Sequence, residues 1–109
     1  MPGGAANAAL MLISAGMAAA YGPRGVRVNA VNPGATHTER LEAGMQATAR
    51  MLNISAQEAL AQATGKVPLG RLAQPQEVAN VVLFLASERA SYVTGVVLTM
   101  DGAATPMVV

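Results

Sequence analysis

Tyr21-Gly22-Pro23-Arg24-Gly25-Val26-Arg27-Val28-Asn29-Ala30-Val31-Asn32-Pro33-Gly34 is a complete sentence of protein punctuation. Gly22 suits a helix C-terminus, and Pro23 cannot extend a helical ladder, so a preceding helix must stop here. Arg24-Gly25 makes a turn. Residues 26–31 then alternate: Val26, Val28 and Ala30 face one way, Arg27, Asn29 and Val31 the other, as a strand requires. Asn32-Pro33-Gly34 ends the strand abruptly.

The flanks extend this reading in both directions. On the N-terminal side, residues 5–21 are rich in Ala, Leu and Met, good helix formers. That helix is apolar nearly all round, with small residues along it, so it expects neighbours on several sides. Ala18-Ala19-Ala20 mimics a signal-peptide cleavage pattern, but Met1-Pro2-Gly3-Gly4 carries no positive charge. A membrane span needs about 20 strongly apolar residues. This shorter, Ala-rich run with Asn7 and Ser14 reads as a buried helix of a soluble protein.

On the C-terminal side, residues 38–63 are helical, with expected breaks at Gly44 and at Asn53-Ile54-Ser55. Ser55 with Glu58 three residues on has the form of a capping box. Gly65, Pro68 and Gly70 mark a loop. Pro75 opens a last helix to about Ser87, with Glu77 in its first turn and Val78, Val81, Val82 and Leu85 as its apolar stripe. After Ala90-Ser91-Tyr92, residues 93–100 read as a second strand, closed by Asp101-Gly102. Strands joined through long helical connections lie parallel. The expected class is α/β, with two parallel strands, three to four helices and one domain at most over residues 1–109.

Composition narrows the function. The chain is 52% apolar and 12% charged, rich for a small monomer, which points to subunit interfaces or a missing partner segment. Its net charge is +1, its six arginines and one lysine are scattered, and it has one Phe, two Tyr and no Trp. A nucleic-acid reader would need clustered cations or stacking aromatics. With no Cys, disulfides and thiolate zinc sites are excluded, and a cytoplasmic protein fits. His37 is the single histidine. It could serve a hydrolase dyad with Asp101, but no Gly-x-Ser-x-Gly elbow accompanies it. A metal would need more ligands than His37 and Glu39. Gly65-Lys66 is followed by Val67, so it is no P-loop. Met11, Met17, Met45 and Met51 read as core fillers.

The opening stretch resembles the helix-to-strand passage of classical short-chain dehydrogenases/reductases. Gly70-Arg71-Leu72 followed by Pro75-Gln76-Glu77-Val78-Ala79 resembles the family's later helix entry, and Val81-Val82-Leu83-Phe84-Leu85-Ala86-Ser87 continues it. Tyr92-Val93-Thr94-Gly95 and Asp101-Gly102 look like its final strand and exit. The resemblance covers nearly the whole chain in order. It implies the C-terminal part of a Rossmann-like doubly wound sheet, from an enzyme that uses NAD or NADP to oxidise an alcohol or reduce a carbonyl. It also implies that Pro33 and Gly34 lie beside the nicotinamide and that Thr38 contacts the cofactor. Pro-Gly is equally an ordinary strand terminator.

The rest of the family's machinery is missing from the sequence. A dinucleotide fold grips pyrophosphate with a Gly-x-Gly turn at a helix N-terminus, and no two glycines here are separated by one residue. The family's acid/base is a Tyr whose pKa is lowered by a Lys four residues on; a phenol near pKa 10 needs that help. Four residues after Tyr21 and Tyr92 stand Gly25 and Val96. The resemblance puts Gly3 and Asn7 where that pair belongs, so the chain reads as truncated before the catalytic Tyr/Lys. No catalytic or metal-ligating residue is assigned. The expectation is a chain that binds no cofactor alone, transfers no hydride, touches neither nucleic acid nor membrane, and forms a homodimer or tetramer through residues 26–31 and 5–21. Two alternatives stay open: a stand-alone oligomeric interaction module, and a diverged small enzyme, such as a hydrolase, built on His37.

Overall fold

A computed structural model describes residues 2–105. Its order is α1 (Pro2–Tyr21), β1 (Ala30–Pro33), α2 (Glu39–Leu52), α3 (Ala56–Gly65), α4 (Pro75–Ala86) and β2 (Val97–Met100), with 3-10 turns at Gly22–Arg24 and Glu88–Ala90. β1 and β2 form a two-stranded sheet. Ala30 N–H donates to Val96 O and Gly34 N–H to Met100 O, a constant offset that makes the strands parallel. The class is α/β, as the punctuation implied.

The described residues divide into two compact units, residues 2–32 with 80–99, and residues 33–79 with 100–105. In the first, α1 ends at Tyr21 as expected, and Gly25 takes φ 77°, a left-handed conformation that glycine adopts freely, to turn the chain. The strands are shorter than residues 26–31 and 93–100. Polar side chains replace the ladder at their entrances: Thr94 Oγ1 accepts from Val28 N–H, while Asn29 donates to Val93 O and accepts from Val96 N–H. Arg27 donates to Leu85 O, Ser87 O and Val93 O, closing the carbonyl end of α4.

The expectation that α1 is buried is corrected. Ser14 and Ala18 are buried, but Leu10, Leu12, Ile13 and Met17 lie 44–76% exposed. The residues 5–24 are long and apolar enough to cross a membrane, and 11% of that stretch is buried. A helix apolar all round needs several neighbours, and within its unit the close approach is one-sided, at Ala18 beside Gly95.

In the second unit, Thr38 caps α2 by accepting from Leu41 N–H, and Ser55 caps α3 by accepting from Glu58 N–H. Asn53, at φ 54°, supplies the left-handed turn between them, and α2 packs on α3. Gly44 does not break α2, contrary to expectation. One glycine costs a helix about 1 kcal/mol, which the Thr38 cap and the flanking Leu41 and Met45 outweigh. The buried apolar residues are Ala49, Ala59 and Leu72 here, and Ala18, Leu85 and Ala90 in the first unit. No large side chain among the described residues is fully buried.

Candidate functional site

The site is the passage from β1 to α2 in the second unit. Pro33 is the last residue of β1 and is exposed. Gly34 follows with its N–H committed to Met100 O at 2.8 Å. A side chain could not fit there, because a Cβ on Gly34 would lie 2.9 Å from Asp101 Cα. Gly34 therefore serves close backbone approach as well as strand termination. Thr36 Oγ1 turns back to Gly34 O at 3.1 Å.

The passage is fastened from outside. Ala73 N–H donates to Ala35 O, and His37 N–H donates to Ala73 O at 2.7 Å, a parallel bridge between Thr36 and Ala73. Thr38 N–H then bonds Thr36 O. The Thr38 hydroxyl oxygen accepts from Leu41 N–H, and its own proton remains free to donate. Gly34 and Thr38 line one cavity of about 570 Å³, together with Thr36, Arg40, Leu41 and Met45. Pro33 is not among that cavity's lining residues.

A second cavity of about 470 Å³ shares Gly34 and Ala35 but opens toward Val67, Leu69, Met100 and Asp101. At its margin Arg71 makes a two-pronged ion pair with Glu77, 2.6 Å and 2.9 Å. Glu77 also accepts from Gln74 N–H, closing the start of α4. These donors, Arg71 first and then Gln74, hold the Glu77 carboxyl down to about 2, and the pair raises Arg71 further. Asp101 is committed to its own turn, accepting from Ala103 and Thr105 N–H. His37 lines a separate cavity with Leu60, Thr64 and Gln74, and its side chain is exposed. No hydrogen bond joins it to Asp101 among the described residues, and no three His, Asp or Glu residues among them gather where they could hold a metal ion.

The structure brings Gly34 and Thr38 to one cavity and leaves Pro33 off it, and sequence reasoning missed Arg71–Glu77. The available signal was an Arg just before a Pro-initiated helix with Glu at its third position.

A family model described as Enoyl-(Acyl carrier protein) reductase, from the short-chain dehydrogenases, matches residues 2–105. The chain belongs to the short-chain dehydrogenase/reductase family. Among curated members of this family, it is 44% identical over 97 residues to the A-factor type gamma-butyrolactone 1'-reductase of Streptomyces virginiae, covering 89% of this chain and 35% of that protein. A solved short chain dehydrogenase family protein from Francisella tularensis superposes with TM-score 0.87 at 35% identity, over 90% of this chain and 40% of the other. The L-sorbose reductase of Gluconobacter frateurii, solved with NADPH and L-sorbose, gives TM-score 0.85 at 30% identity, over 93% and 39%. The short-chain dehydrogenase/reductase chain described here spans about a third of the length of the curated relatives it matches.

The L-sorbose reductase structure holds NADPH, and the passage has groups suited to one end of such a cofactor. Thr38 offers a hydroxyl donor beside a cavity of about 570 Å³ that Gly34 also lines. Nothing in the sequence offers the Gly-x-Gly turn that pyrophosphate needs.

Proposed function

We propose that this chain is the C-terminal segment of an NAD(P)-dependent short-chain dehydrogenase/reductase acting on an alcohol or carbonyl, and that the 109 residues alone transfer no hydride. One observation carries the reading: Gly34 and Thr38, the family's cofactor-side positions, share a cavity, while the sequence has neither Gly-x-Gly nor Tyr-x-x-x-Lys. The nicotinamide supplies or takes the hydride in such enzymes. In this segment Thr38 would donate to the cofactor's nicotinamide end and Pro33 would end the strand beside it, while Gly34 lets the passage lie close against Asp101. The Ala73 bonds to Ala35 and His37 hold that passage in place.

The test is a chimera. The part of the Streptomyces virginiae reductase that this chain does not match is joined covalently ahead of it, and NADPH oxidation is followed with a panel of ketones. The expected outcome is turnover by the chimera and a flat trace for the 109 residues. A chimera that folds and binds NADPH but turns over nothing overturns the reading, as does activity of the isolated chain. A second element of the proposal is self-association through α1, favoured by the exposed Leu10, Leu12, Ile13 and Met17.

A further inference from the structure

Arg40 is a cation without a structural partner. It is the second residue of α2, and a positive charge in a first turn opposes the helix dipole. Glu39 and Glu42 suit the dipole there, yet neither pairs with Arg40. Among the described residues the single ion pair is Arg71–Glu77, and the Arg40 side chain makes no hydrogen bond.

Arg40 lines the cavity of about 570 Å³ that Thr38 also lines, and it is the one charged residue that does so. Arg40, Gly44 and Thr48 follow at helical spacing along α2, with Leu41 and Met45 as the neighbouring row. One helix face thus supplies a cation and an apolar wall. Gly44 keeps the middle of that face low, since a Cβ there would meet nothing within 4 Å. The other hydroxyl protons of the cavity are committed, Thr36 to Gly34 O and Thr48 to Gly44 O. The side-chain donors left for a ligand are the Arg40 guanidinium and the Thr38 hydroxyl.

This pairing of groups selects a class of substrate. A guanidinium holds a carboxylate through two parallel N–H···O bonds. A carboxylate laid against Leu41 and Met45 without a cation would be penalised, and an uncharged end would leave Arg40 unused. We infer that Arg40 is a specificity-determining residue: it binds the carboxylate of a small keto acid, or of the matching hydroxy acid. The methylene chain of that acid lies on Leu41 and Met45, and its carbonyl carbon reaches the nicotinamide end beside Thr38. The inference rests on the proposed function, because Thr38 beside the nicotinamide is what turns this cavity toward the substrate.

The test uses the covalent chimera, loaded with NADPH, and a series of keto acids from levulinate upward, each beside its methyl ester. Acid and ester share the ketone and differ by a single charge. For the best acid, kcat/KM should exceed that of its ester at least tenfold. Arg40→Ala should bring the ratio near unity, through KM for the acid, and Arg40→Lys should keep part of it, as a cation without the planar fork. Arg89→Ala, at an exposed arginine of the other unit, should leave the ratio unchanged. If Arg40→Ala fails to fold by circular dichroism, Arg40→Gln takes its place with the same expectation. Binding of the acids is read separately by saturation-transfer NMR. Equal turnover of acid and ester, or a preference that survives loss of Arg40, overturns the inference and leaves the proposed function standing. A folded chimera that binds an acid through Arg40 but transfers no hydride overturns the function and upholds the carboxylate contact. A folded chimera that binds none of the acids overturns the inference, whatever else it reduces.

Discussion

Glu77 holds together a turn that no repeat pattern announces. Its carboxylate takes two bonds from Arg71 and one from Gln74 N–H, so its folded pKa falls from 4.5 to about 2. A depressed carboxyl stabilises the fold above its unfolded pKa and loses that contribution as pH falls through the folded value. The thermal midpoint is thus expected to be independent of this group above about pH 5 and to drop between 4.5 and 2. Glu77→Gln should flatten that part of the profile in a pH series of melting curves. Gly34 gives a second expectation. A Cβ there meets backbone 2.9 Å away, and the Met100 bond prevents retreat, so Gly34→Ala should destabilise by about 1–3 kcal/mol in urea titration. Pro33, Gly34 and Thr38 were singled out through the family resemblance, and two of them, Gly34 and Thr38, line one cavity. Arg71–Glu77 was not, because six residues across a turn match neither helical nor strand spacing.

At the scale of elements, termini were easier to read than interiors. Tyr21, Pro75 and the Ser55 cap stand where Pro, Gly and Ser fix them, since those signals are local. Strand lengths were not local. Residues 26–29 have the alternation of a strand, yet Thr94 and Asn29 side chains occupy the hydrogen bonds that a ladder would use. Gly44 misled for the opposite reason, its intrinsic cost being small beside a capped 14-residue helix. A Cβ there meets nothing within 4 Å. Gly44→Ala is therefore expected to stabilise by about 0.5–1 kcal/mol, and Thr38→Ala to destabilise by about 1 kcal/mol through the lost cap. Paired chemical-denaturation midpoints check both signs.

For the whole molecule, the family and the α/β class were readable because motifs recur in order from Tyr21 to Gly102. The exposure of α1 was not, since an apolar helix reads the same whether its neighbours are present or absent. Titration calorimetry of the 109 residues with NADPH is expected to show no micromolar binding, a level that corresponds to about 8 kcal/mol. Light scattering at micromolar concentration should give at least a dimer mass, and Leu12→Asp with Ile13→Asp should shift it toward monomer. Among the described residues the buried apolar set is four alanines and two leucines, and this has a calorimetric consequence. Heat capacity rises on unfolding in proportion to the apolar surface newly wetted. A chain that already shows most of its large side chains to water has little left to wet. Scanned as dissociated chains, it should absorb less than the usual value of about 12–15 cal/mol/K per residue, with a shallow stability curve and a melting transition spread over tens of degrees.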